Sequence, residues 1–285
     1  MKRENAWQNF SFYIVSCVSL ASCTTAVFIQ HTPTLANSGH HTGKGEFTGR
    51  AMYSSGGSSV NGHTNGQEQN PYENINGLQA QGSYSITKNI AVQGSFMHSA
   101  EQGGSTKNGT RNVIYNYKRN MVETGLAWFA PINKKETFFF EMAGGAGIGK
   151  NKSTEAVSQS LPGGRFYNNN VTEFFIQPSI YSVTENGNFY GAAGIKIANI
   201  NFNNIATNYS VAEKESREIT ATGKLNTQTI GVFSRLEVFT NKLPWLGISL
   251  QGMFTHDMGQ RFNLNFNDSN MGIGLCIRPG RKSKK

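Results

Sequence analysis

Residues 77–97 read GLQAQGSYSITKNIAVQGSFM. Leu78, Ala80, Gly82, Tyr84 and Ile86 alternate with Gln79, Gln81, Ser83 and Ser85, and beyond Thr87-Lys88-Asn89 the alternation resumes through Ile90, Val92, Gly94 and Phe96. Successive side chains of a strand point to opposite faces, so a period of two on both sides of a short polar turn predicts an antiparallel hairpin. Alternation alone would fit a sandwich equally well. It describes two strands of an outer-membrane barrel if the apolar face meets lipid and the Gln/Ser face meets a polar lumen. On that reading Gln79, Gln81, Gln93 and Ser95 line the lumen.

The pattern recurs along the chain. Strands are expected at 46–53, on both sides of Lys88, at 121–129, 138–149, 173–183 and 188–199, around Ile230 to Val238, and at 245–255 and 264–277. Pro178 cannot donate to a ladder and predicts a bulge or local irregularity in its strand. The ten strands leave nine connections that alternate between long (54–74, 100–119, 150–172, 201–224, 256–263) and short (near Lys88, Lys134, Asn186 and Lys242). Short periplasmic turns and longer external loops are a property of outer-membrane barrels. The expected fold is therefore all-β, a ten-stranded antiparallel up-and-down transmembrane β-barrel, with eight strands the nearest alternative.

Composition agrees with this class. The 285 residues include 32 Gly, only 7 Pro and 11% aromatics, and lack the Leu-, Glu- and Lys-rich stretches that build helices. A mean hydropathy of −0.42 excludes a helical bundle in the bilayer but not a barrel, which turns only alternate residues to lipid. The net charge of +9 resembles a nucleic-acid binder's until it is partitioned. Lys2 and Arg3 against Glu4 contribute +1 and Arg278, Arg281, Lys282, Lys284 and Lys285 contribute +5, leaving +3 scattered over the rest. Such a tail suits anionic headgroups or solvent, and no nucleic-acid partner is expected.

At the N-terminus, Lys2 and Arg3 precede an apolar run over 10–21, too short to span a bilayer and of the length of a secretory signal. It ends in Leu20-Ala21-Ser22-Cys23, which resembles a bacterial lipobox and makes Cys23 the expected site of palmitate-type lipidation. Cys17 then leaves with the signal and Cys276 remains alone, so no intrachain disulfide is available. The expected organisation is a lipoprotein signal peptide at 1–22, a tether without periodicity at 23–44, the barrel at 45–278 and a basic tail at 279–285. An even strand number would bring both ends of the barrel to the periplasmic rim. Cys23 would then insert on the periplasmic side of the outer membrane, with the long loops extracellular.

Four motifs extend this reading. The segment from His31-Thr32-Pro33 to Lys44-Gly45-Glu46, the run Val122-Glu123-Thr124-Gly125-Leu126-Ala127-Trp128, the stretch from Phe140 to Lys150 (FEMAGGAGIGK), and Phe174-Phe175-Ile176-Gln177-Pro178-Ser179-Ile180 together resemble a group of Bacteroidetes outer-membrane β-barrel lipoproteins. The resemblance covers most of the chain after Cys23. It implies architecture and location, with outer-membrane lipid, lipopolysaccharide and the outer-membrane assembly machinery as partners, and no chemistry. Many outer-membrane barrels end on an aromatic residue that the assembly machinery recognises; here the last strand runs into Ile277-Arg278-Pro279-Gly280.

Candidate chemistry is sparse. The run Gly144-Gly145-Ala146-Gly147-Ile148-Gly149-Lys150 nearly satisfies a phosphate-binding loop, but Asn151 replaces the Ser or Thr and no helix follows. His256-Asp257, at the expected outer end of a strand, could activate a water, as a rim hydrolase would require. His40, His41 and His63 lack ligand spacing. No catalytic, cofactor or metal residues are assigned, and no enzymatic activity is expected. Alternation places Glu123, Glu141, Lys196, Arg235 and Glu237 on the non-lipid face, where a narrow barrel forces opposite charges to pair. The expectation is a lumen charge network in a structural or surface-interaction protein whose surface ligand the sequence does not name. The alternative is a narrow small-solute channel or transporter component.

Overall fold

The computed structural model describes residues 29–31, 34–57, 62–64, 67–69, 74–107, 110–157, 164–184, 187–216, 225–258, 264–266 and 269–279. Among these, ten strands form one closed sheet. They are β1 (Phe47–Gly57), β2 (Asn74–Ser85), β3 (Ile90–Lys107), β4 (Thr110–Pro131), β5 (Phe138–Val157), β6 (Arg165–Val183), β7 (Phe189–Thr207), β8 (Leu225–Phe239), β9 (Leu246–Asp257) and β10 (Ser269–Ile277). Each pairs antiparallel with its sequence neighbours, and Tyr53 of β1 opposite Ile273 of β10 closes the ring. The architecture is the ten-stranded up-and-down barrel, not the eight-stranded alternative. The expected signal peptide, Cys23 and residues 280–285 of the basic tail lie outside the described residues.

The opening hairpin sits in the wall as β2 and β3, with Gly82 opposite Gly94 and Gln81 opposite Ser95. Its two faces separate cleanly. Leu78, Tyr84, Val92 and Phe96 are exposed, while Gln79, Gln81, Gln93 and Ser95 are buried. The same division runs around the ring: Leu126, Ile148, Ile176, Val232, Ile248 and Ile273 are each more than half exposed on the outside. A continuous apolar exterior of this extent belongs in lipid rather than water. Next to the short turns, Phe47, Tyr84, Trp128, Phe138, Phe189 and Trp245 are also exposed and form an aromatic girdle at that rim.

At the opposite end the strands run further than the apolar pattern. The connections expected at 100–119 and 150–172 are largely ladder, with Asn116 paired to Thr154 and Arg119 to Asn151, and the one expected at 201–224 begins as ladder through Thr207. β4 alone has 22 residues, where a crossing of the bilayer needs about 9–11. There the outward face meets water and turns polar, as at Lys118, Asn120 and Lys152, while Arg119, Asn151 and Glu155 stay buried on the inner face, so pairing continues while apolar alternation stops. Between β7 and β8 lies a six-residue helix, α1 (Val211–Ser216). Pro178 does not create a bulge. Its neighbours keep one register with β7 on both sides, and the rungs at Pro178 and Gln177 are simply missing, as expected for a residue without an N–H.

Candidate functional site: a filled lumen

The inward faces of the strands carry charge in two clusters. Nearer the middle of the wall, Lys196 Nζ lies 2.8 Å from Glu123 Oε1 and 2.9 Å from Glu173 Oε1. Ser95 donates a 3.0 Å hydrogen bond to the other Glu123 oxygen, and the Phe175 ring lies 4.7 Å from the ammonium. Nearer the short-turn rim, Glu237 receives Arg50 Nε, with Arg235 Nε at 3.6 Å and Arg278 Nη2 at 3.4 Å. The Arg278 guanidinium also stacks 3.7 Å from the Tyr190 ring centroid. Arg278 is thus a lumen residue and not part of a solvated or headgroup-bound tail. Of the five expected lumen charges, the structure joins Glu123 to Lys196 and Arg235 to Glu237. Glu141, fully buried, instead accepts the Gly39 amide at 3.3 Å.

Gly39 belongs to the segment that fills the barrel. Residues 34–41 lie inside the ring of strands, and every one of them is buried. An extended chain surrounded by protein must find partners for its backbone groups, and here lumen side chains supply them. Gln79 and Gln81 donate to the Leu35 carbonyl at 3.1 and 2.9 Å, Gln251 to Ala36 at 2.8 Å, and Gln177 to Asn37 at 3.0 Å. Arg50 donates to Ser38 O at 2.9 Å and Arg235 to the same oxygen, Arg278 donates to His40 O at 3.0 Å, and the Tyr181 hydroxyl to His41 O. Every carbonyl from Leu35 to Ser38, and those of His40 and His41, is therefore taken by a wall side chain.

Side chains of the segment engage the wall as well. Thr34 bonds Glu123 and accepts Lys196 Nζ at 2.8 Å; Asn37 donates to the carbonyls of Gly82 and Gly94; His41 Nε2 meets Ser83 Oγ at 2.7 Å. A Cβ on Gly39 would stand 2.3 Å from the His41 ring and 2.7 Å from Ser83 Oγ, so only glycine lets the chain pass there. His40 follows with φ of 52°, the left-handed turn that aims its ring at Glu237, 3.5 Å away.

This differs from the tether expected over 23–44: its described part from Thr34 to His41 is buried packing, not solvated linker. Direction matters too. Thr34 sits at the Lys196 level, and His40 and His41 sit with Glu237, two residues from the end of β8, and Tyr181, two from the end of β6. Thr42 then bonds Glu46 and the chain turns into β1. Upstream, Ile29–His31 pairs in parallel with Leu264–Phe266, in the connection preceding β10 at the far end. The segment therefore enters from the long-connection end and descends to the short-turn rim. Ile29–His31 thus lies at the end of the barrel opposite to the short-turn rim near which the anchor was expected.

The remaining candidates separate. His256 points outward and Asp257 inward, where it accepts Thr227 Oγ1 at 2.5 Å, so the adjacent pair is divided by the wall. The Gly144 to Lys150 run lies within β5, which continues as strand to Val157, and a Cβ at Gly145 would stand 2.2 Å from Thr124 O and 2.9 Å from the Phe175 ring. Among the described residues no group of three or more His, Cys, Asp or Glu is placed to hold a metal ion. Sequence reasoning missed Glu173, although its neighbour Phe174 faces out and alternation turns Glu173 inward. It also missed Arg50 and Arg278 as partners of Glu237. For residues 34–41 there was no periodic signal to find.

No family model and no curated protein matches the chain. Among solved structures, the translocator domain of the autotransporter NalP from Neisseria meningitidis is similar with a TM-score of 0.51 at 10% identity, over 84% of this chain and 90% of that one. The outer membrane protease OmpT from Escherichia coli gives 0.42 at 9% identity, over 82% and 94%. The outer membrane protein OprG from Pseudomonas aeruginosa gives 0.33 at 10%, over 83% and 96%. At these identities the likeness is one of fold. With the apolar exterior and the aromatic girdle, the chain has the fold of an outer-membrane β-barrel.

Proposed function

We propose that the protein is a lipid-anchored outer-membrane barrel, closed to solutes, that serves a structural or surface-interaction role through the strand extensions and connections at its long end. The supporting observation is the occupied lumen: residues 34–41 fill it, and Gln79, Gln81, Gln177, Gln251, Arg50 and Arg235 are committed to the segment's carbonyls. Outer-membrane lipid and lipopolysaccharide surround the apolar band in this reading, and the assembly machinery inserts it. Catalysis plays no part. In planar bilayers the purified full-length protein is expected to show no steady unitary current, and steady current from it would end this reading. The polar lining favours one second reading, a narrow small-solute conduit that opens when the segment withdraws. Lipidation is tested by Cys23→Ser, which is expected to abolish incorporation of a labelled acyl chain; unchanged labelling would remove the anchor.

A further inference from the structure

We infer that the barrel threads its own N-terminal segment through the lumen and presents Cys23, with any acyl chains it carries, on the outer face of the membrane. The inference rests on the membrane reading above and reverses the side on which the anchor sits. Three contacts carry it. Ile29–His31 pairs with Leu264–Phe266 just before β10, at the end remote from the short turns, and Thr34 is held at the level of Lys196 while His41 has reached Tyr181 near the rim.

Reach decides against a return. Cys23 lies six residues before Ile29 in the sequence, a span of at most about 20 Å fully extended. From Ser269 at the start of β10 to Ile277 at the rim is nine residues, roughly 30 Å of strand. The lumen is already filled by 34–41, and a descent along the outside would lay unpaired backbone groups in hydrocarbon, where each costs several kcal/mol. The leader therefore stays on the long-connection side. The lumen contacts then acquire a role beyond blocking flow, because they hold the surface-displayed anchor to the barrel across the thickness of the membrane.

The test places an epitope tag, in separate full-length chains, between Ala26 and Val27, in the Lys88 turn, or within 158–163. Antibody binding is measured on intact and on permeabilised cells. The expected result is full signal on intact cells for the first and third tags, unchanged on permeabilisation, and signal for the Lys88 tag only after permeabilisation. If the 158–163 tag is reached on intact cells but the Ala26 tag only after permeabilisation, the threading is overturned while the membrane reading stands. If neither is reached on intact cells, both fall. Thr25→Cys labelled with a membrane-impermeant maleimide gives the same readout with one side-chain change, should the longer insertion impair assembly. Labelling above the parent chain on intact cells is expected, and labelling only after permeabilisation would contradict it.

Discussion

On β4, Val122, Leu126 and Trp128 face out into the apolar band, whereas Glu123, between them in the sequence, faces in and is bonded to Thr34, Ser95 and Lys196. The two faces of one strand thus follow different rules. Outside, any large apolar side chain serves, because lipid is a non-directional solvent. Inside, each polar atom needs a particular partner, because water is displaced and an unmatched group bears its full desolvation cost. The exterior specifies a membrane; the interior specifies one segment of this chain.

Three changes are designed to break or sharpen that contrast. Deleting residues 29–41 has the largest expected effect: a lumen that is silent in planar bilayers becomes one with steady unitary currents, provided the variant keeps the heat-modifiable mobility of a folded barrel. A deletion variant that folds and stays silent would show that the wall side chains alone close the lumen. Next, Lys196→Met strands Glu123 and Glu173 in the interior. Removing one partner of a buried ion pair costs about 3–5 kcal/mol, measurable by denaturant unfolding in lipid vesicles. Adding Glu123→Gln and Glu173→Gln to the same chain is expected to recover most of that loss. On the exterior, Ile176→Arg, at a half-exposed position within the apolar band, is expected to cost roughly 2–4 kcal/mol in the same assay.

The smallest effect belongs to the strand extensions. Lys118 and Lys152 stand directly opposite each other, both exposed, and like charges so placed repel. Lys152→Glu is expected to raise stability by a few tenths of a kcal/mol at low salt, with the gain screened away at high salt. A gain unaffected by salt would point to something other than this pair.

The same contrast explains what could be read from the sequence. Strand number and the inward placement of Glu123, Glu141, Lys196, Arg235 and Glu237 follow from a period of two, which a two-faced wall imposes on every strand in the bilayer, whereas closure is suggested only by the alternation of long and short connections. That signal fades where the outward face meets water and turns polar like the inner one, so the ladder at Asn116 and Thr154 reads as loop. It vanishes for a segment enclosed on all sides, which has no second face to alternate with. Thr34, Asn37, Ser38 and Gly39 look like linker because small polar residues suit solvent. They equally suit a narrow polar lumen, and only the arrangement of Gln79, Gln81, Gln177 and Gln251 around them distinguishes the two. Arg278 was misplaced for a related reason: its neighbours in the sequence are a charged tail, while its neighbours in space are Glu237 and Tyr190.

Amide hydrogen exchange on the full-length protein in detergent tests the filled lumen most directly. A segment held by the wall predicts that the peptide covering residues 34–41 exchanges as slowly as the hairpin from Gly77 to Met97, since both would open only with the barrel. Exchange of 34–41 at the rate of an unstructured chain, with the hairpin still protected, would contradict it and return the segment to the role of a tether.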